Sequence, residues 1–354
     1  MMNRNLISSL AGVILLITML VSSPVFAESP PRELVLLNWS EYLDPELVEK
    51  FEQLHNVKVR EVYFENDDLR DELLLDTDGM GYDLAVVNGI MVDTYRKRGW
   101  LAVATENKIS NLKHVDEYWL KSFDGAEGYA VPYFWGTLGI AYRADLVQTP
   151  PGSWMDLYKP NEQLRGKIAM VESQRDALGM ALKALGYSAN SIDSRQIREA
   201  MELLLTQKPY VKSYSYLVLD ENSALVSGDV VMAMIFSGDA LMLKEHHDEI
   251  QYVVPREGGN IWVDYLVVLQ GSKNKDLAYA FINFLNEPSH AAQLAEFVYY
   301  ASPNKAAEKL LPADFLEDPV IYPSEEVLSR SEAYTPLPFR ATKTRNTNFA
   351  RLNQ

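Results

Sequence analysis

The alternation of strand and helix patterns over residues 33–87 is the feature that most constrains the fold. Apolar runs predict the strands. Asp44-Pro45 predicts the start of a helix, with Asp44 as the N-cap and proline at the first helical position. Leu47, Phe51 and Leu54 follow at helical spacing. The strands are predicted at residues 33–38, 57–62 and 83–87, with helices from Pro45 and over residues 68–75. This order predicts a parallel sheet with helices on both faces.

The same α/β alternation resumes after Trp135. Strands are predicted at 138–142, 167–171, 230–236 and 262–269, and helices at 175–185, 194–205, 275–286 and 289–298. Two α/β lobes are the economical interpretation, with the late elements returning to the first lobe. We expect the first lobe to comprise residues 28–136 plus 264–305 and the second 137–263 plus 306–354. Short hinges near Gly136 and Trp262 would leave a ligand cleft at the carboxyl ends of the strands.

The first 27 residues have the pattern of a signal peptide. Arg4 precedes an apolar run over residues 10–21, and Val25-Phe26-Ala27 stands before Glu28 as a small-residue cleavage site. The run is shorter than the roughly 18 to 20 apolar residues of a spanning helix. The chain has no cysteine, so neither a lipid-anchored cysteine nor a disulfide is expected. These features predict export to the periplasm.

The net charge of the chain limits the kinds of molecule that it is expected to bind. A net charge of −16 argues against nucleic acid and anionic membranes, and it favours cations through long-range steering, although solubility alone explains it equally well. A basic tail over residues 339–354 breaks this pattern with Arg340, Lys343, Arg345 and Arg351. That tail either contacts a partner or frays.

Enzyme motifs are absent from the sequence. It contains no glycine-rich phosphate loop, no Gly-x-Ser-x-Gly elbow and no cysteine nucleophile. His246-His247 with Asp248 and Glu249 is the one cluster of metal-ligand type, and it reads better as a solvated helix end because adjacent helical positions do not face one another. We therefore expect no catalytic residues, no metal and no cofactor.

Aromatic residues stand beside carboxylates at the ends of predicted elements. The segments are Trp39-Ser40-Glu41-Tyr42, Arg175-Asp176 and Trp262-Val263-Asp264. Aromatic faces can cover methylenes and attract cations, while carboxylates accept hydrogen bonds from ammonium groups. Taken singly, the tryptophans are more often core residues, and Glu41 and Asp176 are more often helix caps.

Together, these segments and several others resemble the periplasmic spermidine/putrescine-binding proteins of bacteria from about Leu34 to about Tyr334. The further segments that carry the resemblance are Tyr82-Asp83-Leu84-Ala85-Val86, Val131-Pro132-Tyr133-Phe134-Trp135-Gly136, Met180-Ala181-Leu182, Leu185-Gly186-Tyr187-Ser188, Glu257-Gly258-Gly259-Asn260-Ile261 and Ser302-Pro303-Asn304. The resemblance implies the type II two-lobe fold, in which closure of the lobes traps a polyamine.

The resemblance also implies a set of ligand-contacting positions. They are Trp39, Ser40, Glu41, Tyr42, Ser173, Asp176, Phe236, Trp262, Asp264 and Tyr334. Phe236 stands where the family usually has a tryptophan, Ser173 replaces an acid, and Tyr334 replaces another polar contact. Asn88-Gly89-Ile90-Met91 replaces a Ser-Thr-Tyr-Tyr stretch and removes a contacting tyrosine. These changes leave open which polyamine is preferred.

Two other interpretations remain at this stage. Tyr299-Tyr300 raises a ferric-ion site on the same fold, although iron needs more hard oxygen donors than a tryptophan-rich cleft offers. The second is a signalling subunit that reports polyamines to a membrane cyclic-di-GMP enzyme controlling biofilm formation. The expected partner is an inner-membrane protein, either an ABC permease or a GGDEF/EAL-type receptor, and the chain is expected to be a monomer that binds no nucleic acid.

Overall fold

The computed structural model describes residues 31–353, and the predicted signal peptide of residues 1–27 lies outside them. The chain from Arg32 onward forms one compact unit of mixed α/β structure. Within the described residues, no helix combines the length and apolar character needed to cross a bilayer.

One curled sheet of nine strands organises the described chain. The strand order is β2-β1-β3-β9-β4-β7-β5-β6, and β8 pairs with β4 beside this path. The strands are β1 (Arg32–Asn38), β2 (Val57–Tyr63), β3 (Leu84–Asn88), β4 (Ala130–Arg143), β5 (Ile168–Met170), β6 (Val211–Tyr214), β7 (Met232–Phe236), β8 (Ile250–Val253) and β9 (Ile261–Val268). β1 pairs in parallel with β2 and β3, as the sequence predicts.

The helices connect these strands and cover the sheet. They are α1 (Pro45–His55), α2 (Asp67–Asp76), α3 (Gly89–Lys97), α4 (Glu117–Leu120), α5 (Trp154–Tyr158), α6 (Gln174–Ala184), α7 (Ser194–Gln207), α8 (Ala224–Ser227), α9 (Ser237–His246), α10 (Lys275–Leu285), α11 (Pro288–Val298), α12 (Lys305–Glu308), α13 (Ala313–Glu317), α14 (Glu325–Arg330) and α15 (Phe339–Phe349). Short 3-10 helices are Ser110–His114, Glu162–Leu164, Lys208–Tyr210 and Ala350–Asn353.

Strand β4 is shared by two halves of the sheet. Residues 130–137 of β4 pair antiparallel with β9, whereas residues 138–143 pair with β7 and β8. We call β1, β2, β3, β9 and residues 130–137 of β4 the first half, and the remaining strands with residues 138–143 of β4 the second half. The chain thus passes from one half to the other inside a single strand, close to Gly136.

Alternating side chains bury both faces of each half. In β1, Leu34 and Leu36 belong to one apolar cluster and Leu37 to another on the opposite face. In β7, Met232 and Met234 pack on one face while Ala233 and Ile235 pack on the other. Each half therefore has its own apolar packing on both sides, as expected for a sheet covered on both faces.

The C-terminal residues cross between the halves once more. The apolar clusters of the first half include Ala307, Leu311 and Ile321. Further along the chain, Glu332 forms an isolated parallel β-bridge with Asn260, which directly precedes β9. The basic tail forms α15, which packs on α6 and α7. Arg345 is buried there and donates to the carbonyl oxygens of Ala189 (2.8 Å) and Ser191 (2.6 Å). The tail is thus a docked helix, and fraying does not describe it.

Candidate functional site

The loop between β1 and α1 supplies the first aromatic wall. Asp44 caps α1 by accepting a hydrogen bond from the Glu46 backbone N–H (2.8 Å), which fixes where the loop ends. Just before this cap, Tyr42 is buried and its hydroxyl donates to Asp264 Oδ2 at 3.2 Å. Trp39 packs its ring on Phe64, with 4.4 Å between the ring centroids.

Strand β9 places Trp262 and Asp264 on the same side of the sheet. Residues two apart on a strand share a face, and Asp264 lies opposite Asn88 while Trp262 lies opposite Gly136. A Cβ atom at position 136 would come within 2.8 Å of the Trp262 ring, so glycine is what lets the indole lie against β4. Trp262 meets Tyr300 edge-on at 4.8 Å and Phe236 at 5.9 Å.

The second half contributes Ser173, Asp176 and Tyr334. Ser173 is the N-cap of α6, since its Oγ accepts from the Asp176 backbone N–H at 3.2 Å. The Asp176 side chain is buried in the first turn, and its Oδ1 has no hydrogen-bond partner among the described residues. Tyr334 lies beside it, and its hydroxyl donates to the Arg175 carbonyl oxygen at 3.4 Å. These three predicted residues are therefore neighbours.

A chain of aromatic rings joins the two halves. Trp39 of the first half meets Tyr216 of the second at 6.0 Å, and Tyr216 stacks on Phe236 at 6.3 Å. Phe236 in turn meets Trp262, whose partner Tyr300 lies 5.9 Å from Tyr42. Tyr42 and Trp39 of this chain of rings also contact the carboxylate of Asp264, so the contact between the halves extends to this carboxylate.

Buried carboxylates, Asp264 and Asp176, and the half-buried Asp239 give the site its electrostatic character. Burial and, to a smaller extent, the nearby charge of Asp67 raise the pKa of Asp264 to about 7, against the lowering effect of Arg70. Burial likewise raises the pKa of Asp239 to about 6, although its carboxylate accepts a 2.5 Å hydrogen bond from the Tyr300 hydroxyl. Burial also raises the pKa of Asp176. A cation at these carboxylates would relieve this cost of ionisation.

Arg70 and Arg175 are resident cations close to the site, and the charge of Arg175, 5.8 Å from the Tyr334 ring, opposes the rise in the pKa of Asp176. The guanidinium of Arg70 is fully buried and pairs with Asp67 and, at 2.8 Å, with Asp71. Asp67 also accepts a hydrogen bond from Asn88 Nδ2 at 2.6 Å, and its charge acts on both Asp176 and Asp264. The charge of Asp67 therefore acts on predicted site residues of both halves, Asp264 in the first and Asp176 in the second.

The structure brings eight of the ten predicted residues into two adjoining groups. Trp39, Tyr42, Phe236, Trp262 and Asp264 form the first group, and Ser173, Asp176 and Tyr334 form the second. Ser40 and Glu41 are exposed on the turn, and Glu41 has a positive φ of 55°. The charge of Glu41 acts on Glu61 and Tyr63, and no hydrogen bond or ion pair in the described structure joins it to either group.

Four further residues belong to this cluster, although the sequence did not assign them to the polyamine site. They are Asp67, Tyr216, Asp239 and Tyr300. Asp67 and Asp239 each lie in the first turn of a helix that follows a strand, which is the pattern that drew attention to Arg175-Asp176. That signal was available in the sequence. The contacts of Tyr216 and Tyr300 depend on distant parts of the chain and had no local signal.

The geometry offers little to a metal ion. Within residues 31–353, no group of three His, Cys, Asp or Glu side chains is arranged to hold one. Tyr299 and Tyr300 pack in different apolar clusters, so they do not form a pair of ligands. His246 ends α9 and is exposed, as are Asp248 and Glu249.

Comparisons with known proteins agree on one family. The family model described as bacterial extracellular solute-binding protein matches residues 46–322. The Escherichia coli spermidine/putrescine-binding periplasmic protein is 34% identical over 304 residues, covering 84% of this chain and 85% of that protein. The Vibrio cholerae norspermidine sensor is 31% identical over 317 residues, covering 88% of this chain and 86% of that protein.

A solved structure shows the same fold. The spermidine/putrescine ABC transporter substrate-binding protein of Streptococcus pneumoniae superposes with a TM-score of 0.77 at 32% sequence identity. The superposition covers 91% of this chain and 98% of that protein. The predicted type II architecture, two α/β lobes with a cleft between them, is thereby confirmed.

Proposed function

Because this chain belongs to the family of bacterial extracellular solute-binding proteins, we propose that it binds a polyamine cation in the cleft between its lobes. The observation that carries the proposal is the pair Asp264 and Asp239. Both carboxylates are held among aromatic rings with raised pKa values. No lysine or arginine of the described chain forms an ion pair with either one. Such carboxylates fit a ligand that brings its own positive charge.

The arrangement suits an alkyl chain that carries ammonium groups. The rings of Trp39, Tyr216, Phe236 and Trp262 would cover methylenes, and each can attract an adjacent cation. Ammonium groups donate hydrogen bonds and accept none. Asp176 Oδ1 and Asn88 Oδ1 are buried acceptors without a partner in the described structure, so they could receive donors from the ligand.

The proposed site comprises ten residues inferred from the sequence together with Asn88, Tyr216, Asp239 and Tyr300. The ten are Trp39, Ser40, Glu41, Tyr42, Ser173, Asp176, Phe236, Trp262, Asp264 and Tyr334. The lobe boundaries, 28–136 with 264–305 and 137–263 with 306–354, belong to the same proposal. Export to the periplasm, with cleavage of the signal peptide after Ala27, is also part of this proposal. Sequencing the N-terminus of the protein from a periplasmic fraction tests it, and Glu28 is the expected first residue.

Native mass spectrometry tests the proposed ligand class. Protein purified from cells grown with spermidine, norspermidine or putrescine should carry an added mass equal to one of these amines. Unfolding and refolding should remove it, and added spermidine should restore it. A refolded protein that stays free of amine at saturating spermidine would contradict the proposal.

We further propose an inner-membrane partner, either an ABC permease or a GGDEF/EAL-type receptor. The similarity to relatives of both kinds supports this: one is named as a substrate-binding protein of a transporter and the other as a norspermidine sensor. Deleting the gene distinguishes the two outputs. Loss of labelled spermidine uptake supports transport, whereas unchanged uptake with an altered biofilm response to norspermidine supports signalling.

A further inference from the structure

A further cavity lies away from the polyamine cleft. It is an open groove of about 1100 Å³ between the Lys113–Phe123 region, α12 and the segment that contains Leu328 and Ser331. The apolar side chains that line it include Trp119, Phe123, Ile261, Val263 and Leu328. The polyamine site uses none of these side chains.

Lysines outnumber acidic residues in the lining of this groove. The groove is lined by Lys113, Lys121, Lys305 and Lys309, against two acidic residues, Asp116 and Glu117. Lys305 pairs with Asp116 at 2.9 Å and Lys121 with Glu117 at 2.5 Å. Lys113 and Lys309 form no ion pair with any described residue. A positive groove on a chain of net charge −16 attracts an acidic occupant.

The groove shares its walls with the polyamine cleft. Ile261 and Val263 face the groove, while Trp262 and Asp264 on the same strand face the cleft, since successive strand residues point to opposite sides. Ser331 and Ala333 also line the groove, whereas Tyr334 belongs to the cleft. Glu332 between them pairs with Lys183 of α6 at 2.9 Å. A movement of the two halves about these segments would change both cavities together.

We propose that this groove is the docking surface for an acidic, amphipathic segment of the inner-membrane partner, and that polyamine binding changes its occupancy. Small-molecule pockets are typically enclosed and about 300 to 1000 Å³ in volume. This groove is open and slightly larger, and Tyr118 at its rim is 67% exposed. A polypeptide with one apolar side and flanking carboxylates matches both its shape and its charge. The proposal rests on the membrane partner of the proposed function.

Site-specific photocrosslinking in the source bacterium tests the proposal. The photoreactive amino acid p-benzoylphenylalanine replaces Tyr118 in the groove or, as the control, Phe339, which is 82% exposed on α15. The expected result is an adduct at position 118 with one inner-membrane protein, through a peptide rich in Asp and Glu. Its yield should change about fivefold or more when spermidine is added, which is the lower range of allosteric coupling.

Charge reversal supplies the matched variant. Lys113→Glu with Lys309→Glu should lower the adduct yield about tenfold, because two rim attractions become repulsions. Spermidine affinity by calorimetry should stay within about twofold, since neither lysine belongs to the cleft. Three outcomes would overturn the inference. The adduct at position 118 could be no stronger than at position 339, or it could form with a second copy of this chain or with lipid. The third outcome is an adduct yield that does not change with spermidine or with the charge reversals. If the unsubstituted protein did not bind spermidine at all, that result would instead contradict the proposed function.

Discussion

At the scale of single residues, Asp264 is the group on which the proposed site depends most. Its carboxylate is buried, accepts a hydrogen bond from the Tyr42 hydroxyl at 3.2 Å, and lies beside the chain of aromatic rings that joins the two halves. Asp264→Asn keeps the shape and removes the charge, so a bound ammonium would lose its charged partner. We expect spermidine or norspermidine affinity to fall by about 30-fold to several thousandfold, as about 2 to 5 kcal/mol implies.

Calorimetric titration measures this loss, and Asp248→Asn is the matched control. Asp248 is an exposed aspartate just after α9, outside the cluster of site residues, so its substitution should leave the affinity unchanged. Circular dichroism would verify that both variants fold. A normally folded Asp264→Asn protein that binds within about threefold of the unsubstituted protein, a difference near RT, would refute this placement of the ligand.

The raised pKa values of the same carboxylates predict that affinity depends on pH. Ligand ammonium groups stay protonated below about pH 9, as lysine does, so the change comes from the protein. Because burial raises the pKa of Asp264 to about 7 and of Asp239 to about 6, lowering the pH neutralises first one and then the other. Spermidine affinity should therefore fall by about tenfold per pH unit below 7, and more steeply below 6.

Titrations at pH 8, 7, 6 and 5 measure the slope. The Asp264→Asn protein is the control, because the step near pH 7 should vanish and the step near pH 6 should remain. Affinity that is constant from pH 8 to pH 5 would show that these carboxylates do not face the ligand.

The sequence predicted individual site residues unevenly, for a physical reason. Trp262 and Asp264 share a strand face by simple alternation, so local spacing was sufficient to pair them. Asp239 looks in sequence like any acidic residue in a first helical turn, where the macrodipole alone favours it. Its role depends on the hydroxyl of Tyr300, which the fold brings from another helix end.

At the scale of elements, capping and periodicity predicted seven of the nine strands and six of the nine described helices that have nine or more residues. The Asp44-Pro45 start and the spacing of Leu47 and Phe51 gave α1 as observed. The first part of β4 was missed, because residues 130–137 are buried on both faces and show no alternation. Helix α15 was missed because its sequence is mostly polar, and it is held by packing on α6 and α7.

The contact between β4 and β9 yields a prediction at Gly136. A Cβ atom there would lie 2.8 Å from the Trp262 ring and 3.0 Å from Ser237 Oγ, so Gly136→Ala must displace the indole. We expect lower stability by about 1 to 3 kcal/mol, typical of overpacking, and weaker polyamine binding. Denaturant unfolding and calorimetry measure the two effects.

Gly152→Ala is the control for that substitution, since a Cβ atom there meets nothing within 4 Å and the backbone φ is not positive. It should change neither stability nor affinity. Equal behaviour of the two variants would mean that the indole has room to move, and that its position against β4 does not matter for binding.

At the scale of the whole molecule, we expect ligand binding to close the two lobes about hinges near Gly136 and Trp262. Only a closed state lets Asp264 of the first half and Asp176 of the second contact one ligand, so binding favours that state. Small-angle scattering of refolded protein should show a smaller radius of gyration at saturating spermidine. An unchanged radius at confirmed saturation would contradict the hinge motion.

The central claim is that the cleft selects a polyamine by its positive charges and apolar spacing. Isothermal titration calorimetry on protein unfolded and refolded to remove bound ligand tests it most directly. Spermidine, norspermidine and putrescine are compared with glutamate and maltose as anionic and neutral solutes. We predict that at least one amine binds and that glutamate and maltose give no heat of binding. No heat of binding with any of the three amines, together with clear binding of glutamate or maltose, would contradict the account.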